Sequence, residues 1–484
     1  MNAAQTDVVV VGAGAAGLYA AQRSARLGAR VMLISASPLA GASSWWAQGG
    51  LAAALGDGDS AASHLADTVA AGRGLVRESA ARVLCDEAPA IVRDLERLGI
   101  EFDADSTGAP ALGLEGGHRA RRIVHAGGAE TGRRLTTRLA QLAAEEPLIE
   151  VHEGRTVTGI ITQDGRAVAV RTLDGAEVRA RAVVLATGGA AALWSRTTNP
   201  PGATGSGLLL AHLAGAQLAD LELMQFHPTA VVGHNGADGF LVTEAIRGEG
   251  AFLLDATGER FVNELAPRDE VARAVQLAMD SGGVESVSLD MRHVDPTRFP
   301  NVVRALREAG IDPVRELVPV APAAHYMMGG IATDLDGRSS IPGLYSVGEC
   351  ACTGLHGANR LASNSLSECF VFGARAAQAA VSEPPTPAYA HAARPRAGRP
   401  PRLGTRSRAA LWTHAGLERD SAGLSLLVAQ EEHPLVRMIA RAALARRESR
   451  GAHRRRDFPV TDPALEGRHV TIGSDGEPSL VAWS

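Results

Sequence analysis

One carboxylate stands at the head of an arginine-rich stretch, residues 112–122, which read LGLEGGHRARR. Glu115 follows an apolar lead-in and precedes two glycines, and His118 and three arginines come soon after it. Taken alone, such a segment is typical of a surface turn with a solvated charge run. The chemical alternative is an acid on a flexible loop that pairs with a cationic ligand or accepts its proton.

Arginine is the only strongly basic residue type in the chain. None of the 48 residues counted as Lys or Arg is a lysine, which excludes lysine Schiff-base chemistry and leaves Arg as the only cation besides His for binding carboxylates or phosphates. The cysteines form a single C-x-C with no second pair facing it, so we expect no metal or iron–sulfur centre. The four cysteines are Cys85, Cys350, Cys352 and Cys369.

Length and charge narrow the class of protein further. A chain of 484 residues predicts about three domains. Its formal net charge of −5 provides no basic field for nucleic acid or a membrane surface. The N-terminus lacks the basic region and cleavage site of a signal peptide, and its apolar run contains glycines that suit a strand and turn rather than a membrane span. We therefore expect a cytoplasmic protein.

The first 35 residues read as a βαβ unit that binds a dinucleotide. An apolar strand at 7–11 meets the motif Gly12-x-Gly14-x-x-Gly17, and a helix and second strand follow. Such a turn lets the backbone approach a pyrophosphate at the helix N-terminus, and a β-branched residue at Gly14 should block it and resist the turn. Ser35 stands where an acid usually holds a ribose, so the motif alone leaves FAD and NAD open. The residues predicted to line this part of the cofactor are Gly12, Ala13, Gly14, Ala15, Ala16, Gly17, Ser35 and Ala36.

Two later strands favour FAD. RAVVLATGG (181–189) ends in Thr187, Gly188 and Gly189, and GLYSVGE (343–349) ends in Glu349. A strand that ends in Gly and an acid far along the chain suits a sheet that returns to hold the flavin portion. We therefore predict an α/β fold in which a Rossmann-like FAD-binding domain is split by an inserted α+β capping domain and followed by a short C-terminal helical domain.

The domain boundaries follow from changes in composition. We assign 1–220 and 326–382 to the FAD-binding domain and 221–325 to the capping domain. A Pro- and Arg-rich segment, 383–404, is predicted as a linker. Residues 405–484 form the helical domain, because apolar residues recur at helical spacing in LVRMIARAALARRESR.

An ordered set of motifs identifies a resemblance over nearly the whole chain. The chain resembles the succinate dehydrogenase/fumarate reductase flavoprotein superfamily, and within it most closely the L-aspartate oxidases. The motifs are AQGG (47–50), LATGG, TTNP, QFHPT (225–229), RGEG (247–250), APRD (266–269), HYMMGG (325–330), GLHGANRLASNSL (354–366) and ESRGAH (448–453).

The resemblance implies a dicarboxylate site built from arginines, histidines and neutral donors. It places His227, His325, Arg360 and Arg268 around the substrate, with Thr243 near one carboxylate. In this superfamily the arginine of PRD, here Arg268, exchanges a proton at the substrate carbon beside the one that exchanges hydride. Arg247 of RGEG is a candidate for a structural or relay role.

The resemblance also completes the FAD site. Where several membrane-bound relatives carry FAD covalently on a His before AQGG, this chain has Ser43, so FAD should be bound non-covalently. We expect the neighbouring Trp45 and Trp46 to pack in the core. The further residues expected at FAD are Ser43, Ser44, Ala47, Gln48, Gly49, Gly50, Ser206, Ser365 and Leu366.

The same resemblance gives Glu115 a function. Dehydrogenases have an apolar residue before the Gly-Gly pair, whereas aspartate oxidases have an acid. A carboxylate there would pair with the substrate ammonium, take up one of its protons as the imine forms, and repel a purely anionic substrate. The arginines that follow Glu115 we interpret as solvated.

The reaction implied is oxidation of L-aspartate to iminoaspartate, with O2 (giving H2O2) or fumarate (giving succinate) as electron acceptor. It would be the first step of NAD biosynthesis through quinolinate, with possible transient hand-over to quinolinate synthase, and the protein could be a monomer or a homodimer. Two alternatives stay open: a soluble fumarate reductase or succinate dehydrogenase flavoprotein, and a non-catalytic flavin-binding subunit of a membrane complex. The C-terminal region is shorter than is usual for the family, and we interpret Arg454–Arg456 as a salt-bridged helix end rather than a nucleic-acid contact.

Overall fold

The helices lie mainly in the first and last thirds of the chain. A computed structural model describes residues 4–38, 41–233, 237–385 and 403–483. Within these ranges the helices, in chain order, are α1 (Ala15–Arg26), α2 (Ala61–Ala71), α3 (Glu78–Arg97), α4 (Thr131–Glu145), α5 (Ser206–Leu213), α6 (Glu244–Gly248), α7 (Arg268–Gly282), α8 (Pro300–Glu308), α9 (Asn364–Val381), α10 (Thr405–Ala415), α11 (Ser421–Gln430) and α12 (Pro434–Ala445).

The strands are short and assemble into five sheets. In chain order they are β1 (Ala4–Gln5), β2 (Val8–Val11), β3 (Val31–Ile34), β4 (Leu51–Ala52), β5 (Leu112–Gly113), β6 (Ile123–Val124), β7 (Ile149–His152), β8 (Val157–Gln163), β9 (Arg166–Thr172), β10 (Glu177–Arg179), β11 (Ala182–Leu185), β12 (Leu218–Ala219), β13 (Met224–Val231), β14 (Phe252–Leu254), β15 (Val287–Asp290), β16 (Val318–Met327), β17 (Gly330–Ala332), β18 (Leu344–Ser346), β19 (Ala351–Cys352), β20 (Arg468–Ile472) and β21 (Pro478–Ala482).

A five-stranded parallel sheet forms the centre of the molecule. Its order is β18-β11-β2-β3-β7, and the run VVVV of β2 is buried along its whole length. A parallel sheet is covered by other elements on both faces, which explains why β2, β3 and β11 are continuously apolar and buried. Strand β18 pairs with β11 although a long inserted segment separates them in sequence. The predicted split α/β arrangement is confirmed.

The inserted segment has its own sheet and apolar core. Strands β13, β16, β15 and β14 form an antiparallel sheet, with α7 and α8 contributing to a separate cluster of buried side chains. The β13–β16 ladder shifts register between Gln225 and Phe226 and again between His227 and Ala230. Such irregularities re-aim side chains, and here they occur on both sides of the candidate site residue His227.

The C-terminal region contains the predicted helices and a hairpin that the sequence did not indicate. Helices α10, α11 and α12 pack together, and β20 then pairs with both β21 and β12, closing a five-stranded sheet. Helix α12 ends at Ala445, before the last residues of the predicted periodic run. The predicted linker lies mostly outside the described residues. No helix in the described ranges is long and apolar enough to span a membrane.

A buried ion-pair network holds this C-terminal region against the rest of the chain. The fully buried Arg446 guanidinium lies 2.7 Å from Glu222 and 3.1 Å from Glu448. The interpretation of Arg454–Arg456 as a helix end is wrong, since these residues lie in a turn after α12. Arg455 is buried and pairs with Asp457, and Arg456 pairs with Glu418, so the predicted salt bridges are present although the helix end is not.

Replacing Arg446 should destabilise the protein strongly. Arg446→Met leaves buried carboxylates without their cation, and breaking a buried pair from one side costs about 3–5 kcal/mol. The measurement is the urea unfolding midpoint. The matched control is Arg441→Met on the same helix, whose partner Glu477 is 65% exposed, and which should cost about 1 kcal/mol or less. Equal shifts for the two variants would contradict a structural role for the network.

Candidate active site

Two buried arginines from distant parts of the chain share one acceptor. Arg268, the first residue of α7, and Arg360 both donate to Gln225 Oε1, over 3.3 Å and 3.2 Å. Gln225 lies on β13, and its own amide donates to Asn359 Oδ1 and to the Arg360 carbonyl. The structure therefore brings together the two arginines that the sequence predicted, and Gln225, which the sequence did not single out, holds them.

The two histidines face each other beside the arginines. The rings of His227 on β13 and His325 on β16 lie 5.2 Å apart, edge to face. Burial, together with the positive charges of the arginine pair, lowers the pKa of both imidazoles well below the ordinary value. Both rings are therefore neutral at pH 7 and each carries one N–H.

The hydrogen bonds of His227 determine which nitrogen carries its proton. The backbone N–H of Thr229 donates to His227 Nδ1 over 3.3 Å, so Nδ1 is the acceptor and Nε2 carries the hydrogen. His227 Nε2 is buried and has no hydrogen-bond partner within the described part of the chain. A buried N–H without an acceptor is costly, and a ligand carboxylate in this site would satisfy it.

Arg268 also belongs to a chain of alternating charges. Its Nε lies 2.6 Å from Glu244 Oε2, and Arg247 lies 3.7 Å from the same oxygen. Although burial alone would raise the pKa of Glu244, the guanidiniums of Arg268 and Arg247 hold it below the ordinary value. Sequence reasoning missed Glu244, although its position three residues before Arg247 in the short helix α6 is a signal for such a pair. Thr243, directly before it, is buried and caps α6.

Glu115 is a buried carboxylate and not a surface charge. It is 4% exposed, and Ser363 Oγ donates to its Oε2 over 2.7 Å. Ser363 has a left-handed backbone (φ +60), an uncommon conformation for a residue other than glycine. A Cβ added at Gly49 would lie 3.4 Å from Glu115 Oε1, which places Glu115 against the AQGG segment. The adjacent Gly116 N–H donates to Glu244 over 2.8 Å, joining this loop to the charge chain.

The arginines after Glu115 are solvated only in part. Arg119 is exposed, but Arg122 is fully buried between Asp59 and Asp67, at 2.8 Å and 2.6 Å. The expectation of a wholly solvated run is therefore wrong. These ion pairs anchor the end of the loop that carries Glu115, because its last arginine cannot leave two buried carboxylates without cost.

The glycine turn fits a bound pyrophosphate. Gly12 has φ +109, and a Cβ there would lie 2.2 Å from the Ala186 carbonyl. Gly17 is equally restricted, since its Cβ would lie 2.0 Å from the Gly12 carbonyl. Gly14 instead has an extended backbone (φ −76) at the N-cap of α1, so the predicted turn strain at Gly14 is wrong and belongs to Gly12. The space above Gly14 borders the N-terminus of α1, where a phosphate is favourable.

The segment after β3 lies next to the glycine turn. Ser35, at the end of β3, is buried and donates to the Ser37 carbonyl, whereas Ala36 is exposed. Ser44 Oγ accepts from the Ala15 N–H over 3.0 Å. The remaining predicted residues of this region, Ser43, Ala47, Gln48 and Gly49, are partly exposed, and Gly50 is buried.

The two tryptophans of this segment do not pack in the core. Trp46 is 64% exposed, and the Trp45 ring lies 5.5 Å from the Arg133 guanidinium. The prediction that they are core residues is therefore wrong. The short 3-10 helix that carries them, Ser43–Trp46, has no buried residue and so provides no apolar pocket.

The two later strands converge as predicted. A Cβ at Gly189 would lie 2.1 Å from Glu349 Oε1, and burial raises the pKa of Glu349 to about 7. Thr187 Oγ1, which packs on the start of α5 beside Ser206, is buried without a hydrogen-bond partner in the described chain. A buried hydroxyl without a partner fits a polar cofactor. The last two predicted residues, Ser365 and Leu366, lie in the first turn of α9, and Ser365 Oγ accepts from Arg360.

Comparisons with known proteins agree with this site. Residues 7–366 match the family model described as FAD binding domain, and residues 430–479 match the fumarate reductase flavoprotein C-term model. The chain is 46% identical to an L-aspartate oxidase of Caulobacter vibrioides, over 98% of this chain and 97% of the relative. It is 45% identical to one of Agrobacterium fabrum, over 96% and 93%.

Solved structures show the same architecture. A mutant of E. coli quinol fumarate reductase FrdA superposes with a TM-score of 0.88 at 28% identity, covering 99% of this chain and 97% of the other. Mycobacterium smegmatis Sdh1 in complex with UQ1 gives 0.84 at 30% identity, covering 99% and 94%. The chain is thus an FAD-dependent flavoprotein of the succinate dehydrogenase/fumarate reductase superfamily. Within this superfamily it belongs to the L-aspartate oxidase family.

The flavin should be released when the protein is denatured. Serine cannot form the histidyl link that anchors FAD covalently in some relatives, and Ser43 stands at that place. Acid precipitation should therefore leave all the yellow colour in the supernatant. Flavin that remains with the washed pellet would show a covalent bond elsewhere in the chain.

Gly14→Val should fold but bind no FAD. The extended backbone of Gly14 accepts a side chain, but its Cβ would lie 3.3 Å from Ser44 Oγ, so the branches of valine would crowd the N-terminus of α1 where we expect the pyrophosphate. The measurement is the flavin-to-protein absorbance ratio at unchanged thermal stability of the apoprotein. The matched control is Gly404→Val, since Gly404 is also a helix N-cap with extended backbone (φ −74), and it should keep full FAD. Stoichiometric FAD in Gly14→Val would contradict this placement of the pyrophosphate.

Proposed function

We propose that this protein oxidises L-aspartate to iminoaspartate, the first step of NAD biosynthesis through quinolinate. The observation that carries the proposal is the buried Glu115 carboxylate, whose Oε1 accepts no hydrogen bond from a described residue and whose charge acts on Arg360, one of the two arginines that suit carboxylates. A ligand for this site carries one positive and two negative groups, as L-aspartate does. When bound, FAD would supply the acceptor for the hydride from C2, and the final electron acceptor would be O2, giving H2O2, or fumarate, giving succinate.

The substrate carboxylates are bound by the arginines and histidines. Arg360 offers a planar fork that suits a carboxylate, and its Nη2 forms no hydrogen bond within the described chain. His227 Nε2 provides a neutral donor, as does His325, whose Nδ1 lies 2.8 Å from Thr198 Oγ1. Thr243, at the start of α6, is the remaining candidate beside one carboxylate. These contacts hold the substrate and exclude water from C2.

Glu115 takes up a proton in the oxidation of L-aspartate, and Arg268 supplies one in the reduction of fumarate. Glu115 pairs with the ammonium and takes up a proton as the imine forms, while Ser363 holds its other oxygen. In the other half-reaction, reduction of fumarate, Arg268 donates a proton to the carbon next to the one that receives the hydride. A free guanidinium has a pKa above ~12 and is a weak acid, so this transfer must be concerted with hydride movement or directed at a carbanion-like centre. Glu244 and Arg247 extend from Arg268 and provide a route to restore its proton.

The cellular setting follows from the same proposal. Iminoaspartate hydrolyses in water, so a transient contact with quinolinate synthase would protect it. We also propose a cytoplasmic location and a monomer or homodimer. The charge of the chain, −5, supplies no basic field that would favour nucleic acid or an anionic membrane.

An anaerobic titration tests the function. The yellow holoprotein should lose its flavin absorbance on addition of L-aspartate and recover it on addition of fumarate or air. Bleaching by succinate and not by aspartate would instead indicate a fumarate reductase or succinate dehydrogenase. A flavin that neither compound reduces would indicate a non-catalytic subunit.

Arg268→Leu should fold, bind FAD and lose fumarate reduction by several orders of magnitude, because the proton donor is gone. Arg268→Lys should not restore activity, since an ammonium cannot reproduce both the Glu244 and the Gln225 contacts. The measurement is single-turnover reoxidation of the reduced flavin by fumarate. A surface control, Arg304→Leu, should react at the wild-type rate. Wild-type reoxidation in Arg268→Leu would show that the site is misplaced.

Glu115→Gln should slow the oxidation of L-aspartate without slowing the reduction of fumarate. A glutamine still accepts the Ser363 hydrogen bond but cannot pair with an ammonium, so kcat/KM for L-aspartate should fall at least tenfold, about 1.4 kcal/mol. Fumarate carries no ammonium, so its reduction should hold steady or improve. Glu383→Gln at the far end of α9 is the matched control. An equal loss in both reactions, or unchanged oxidation of L-aspartate, would show that Glu115 is an ordinary loop carboxylate that does not recognise the ammonium.

A further inference from the structure

Arg360 differs from Arg268 in having no carboxylate in direct contact. Arg268 is 2.6 Å from Glu244, whereas Arg360 forms no ion pair with any described residue. It is nevertheless buried, and its nearest cation is the other guanidinium. Burial and the charge of Arg268 lower the pKa of Arg360 to about 10. Glu349 and Glu115 oppose this lowering from a distance, and so does Tyr326, although no described carboxylate contacts the guanidinium directly.

An aromatic ring covers the Arg360 guanidinium. Its central carbon lies 4.4 Å from the ring centroid of Tyr326, which is buried on β16. The face of a tyrosine ring carries partial negative charge, and this attraction is strongest where water is excluded. The ring contacts the face of the guanidinium and so leaves Nη2, the one nitrogen of Arg360 without a hydrogen bond to a described residue, able to bind a carboxylate.

A buried acid and histidine hold the far end of that ring. The Tyr326 hydroxyl donates to Glu368 Oε2 over 2.7 Å, and His356 Nε2 lies 2.8 Å from the same oxygen. Thr353 contributes a longer hydrogen bond to Glu368 Oε1, at 3.5 Å. Both Glu368 and His356 are almost fully buried and lie outside the set of residues assigned to substrate or FAD. Burial and the charge of Glu368 raise the pKa of Tyr326 well above its ordinary value, so the phenol stays a donor.

We propose that Tyr326, Glu368 and His356 form a positioning triad that fixes the orientation of Arg360 and partly neutralises its charge from behind. The negative charge of Glu368 reaches Arg360 through the polarised phenol instead of through a salt bridge. A carboxylate in direct contact would occupy the N–H edge and compete with the substrate. Placing the ring between the acid and the guanidinium supplies the compensation and keeps Nη2 of Arg360 able to bind a substrate carboxylate.

The inference rests on the proposed dicarboxylate site and deepens it. None of the three residues touches the substrate in this account; each acts through Arg360. Their loss should therefore weaken binding of a carboxylate ligand and raise KM, with kcat largely retained, because Arg360 binds substrate and transition state alike. A general packing defect would lower FAD content and stability as well.

The test compares three variants of the holoenzyme. Tyr326→Phe keeps the ring and removes the hydroxyl, Glu368→Gln removes the charge, and Tyr345→Phe is the control. Tyr345 matches Tyr326 in having its hydroxyl bonded to an acid, Glu383 at 2.6 Å, and an arginine, Arg338, over its ring. The readouts are the dissociation constant of succinate from the flavin absorbance change and the steady-state KM and kcat for L-aspartate.

Tyr326→Phe and Glu368→Gln should each weaken succinate binding about threefold to tenfold, the range expected when a hydrogen bond to a charged group or a cation–π contact is weakened. KM for L-aspartate should rise by a similar factor with kcat within about twofold of wild type. Tyr345→Phe should match wild type in both measurements. Unchanged succinate binding in both triad variants would overturn the proposal, as would a loss confined to kcat.

A double-mutant cycle excludes a merely structural explanation. In the background of Arg360→Leu, which should itself raise the succinate dissociation constant strongly, adding Tyr326→Phe should have no further effect. Additive losses would show that Tyr326 acts independently of Arg360 and would overturn the triad. Failure of the proposed function would already show in the wild-type protein, which would then neither bind succinate nor be reduced by L-aspartate. Failure of the triad alone would show only in the variants.

Discussion

Two guanidinium groups buried side by side, with one amide oxygen between them, set the main constraint on this structure. Arg268 and Arg360 repel each other, and Gln225 can share only one oxygen between them. Each cation is therefore backed by an acid, Glu244 in direct contact and Glu368 through a phenol. The remaining positive potential faces the side where a dianionic ligand would sit. The same buried positive charge that gives the site its affinity for carboxylates therefore also makes the empty site unfavourable to assemble.

The fold meets this constraint by bringing distant segments to one place. Strands β13 and β16 carry Gln225 and the two histidines, α7 begins with Arg268, and the turn before α9 supplies Arg360. The loop with Glu115 enters from the first third of the chain and is fastened through Gly116 to Glu244. The loop of Glu115, which would recognise the amine, and Arg268, which would supply the proton, are therefore joined by hydrogen bonds through Glu244.

Much of the fold and the identity of the site residues could be predicted from the sequence, because their signals are local. A continuous apolar strand before spaced glycines specifies the βα turn at Gly12, and the motifs around His227 and Arg360 are short and ordered. The hairpin β20–β21 was missed although Asp475-Gly476 is a local turn signal, whereas its pairing with β12 joins residues far apart in sequence and could not be predicted. The burial of Arg122 was missed for the same reason: its partners, Asp59 and Asp67, come from an earlier segment. The prediction that Trp46 packs in the core was wrong because an apolar residue type does not ensure a buried position.

The split of the central sheet also sets the order in which the protein can be completed on the ribosome. Strands β2, β3 and β11 emerge early, yet the edge of β11 is covered only when β18 arrives after the whole inserted segment has been synthesised. Until then an apolar parallel edge is open to mispairing. The nascent chain therefore passes through a long interval in which the glycine turn exists without Glu349, and protection of that edge during synthesis falls to chaperones or to early folding of the inserted segment.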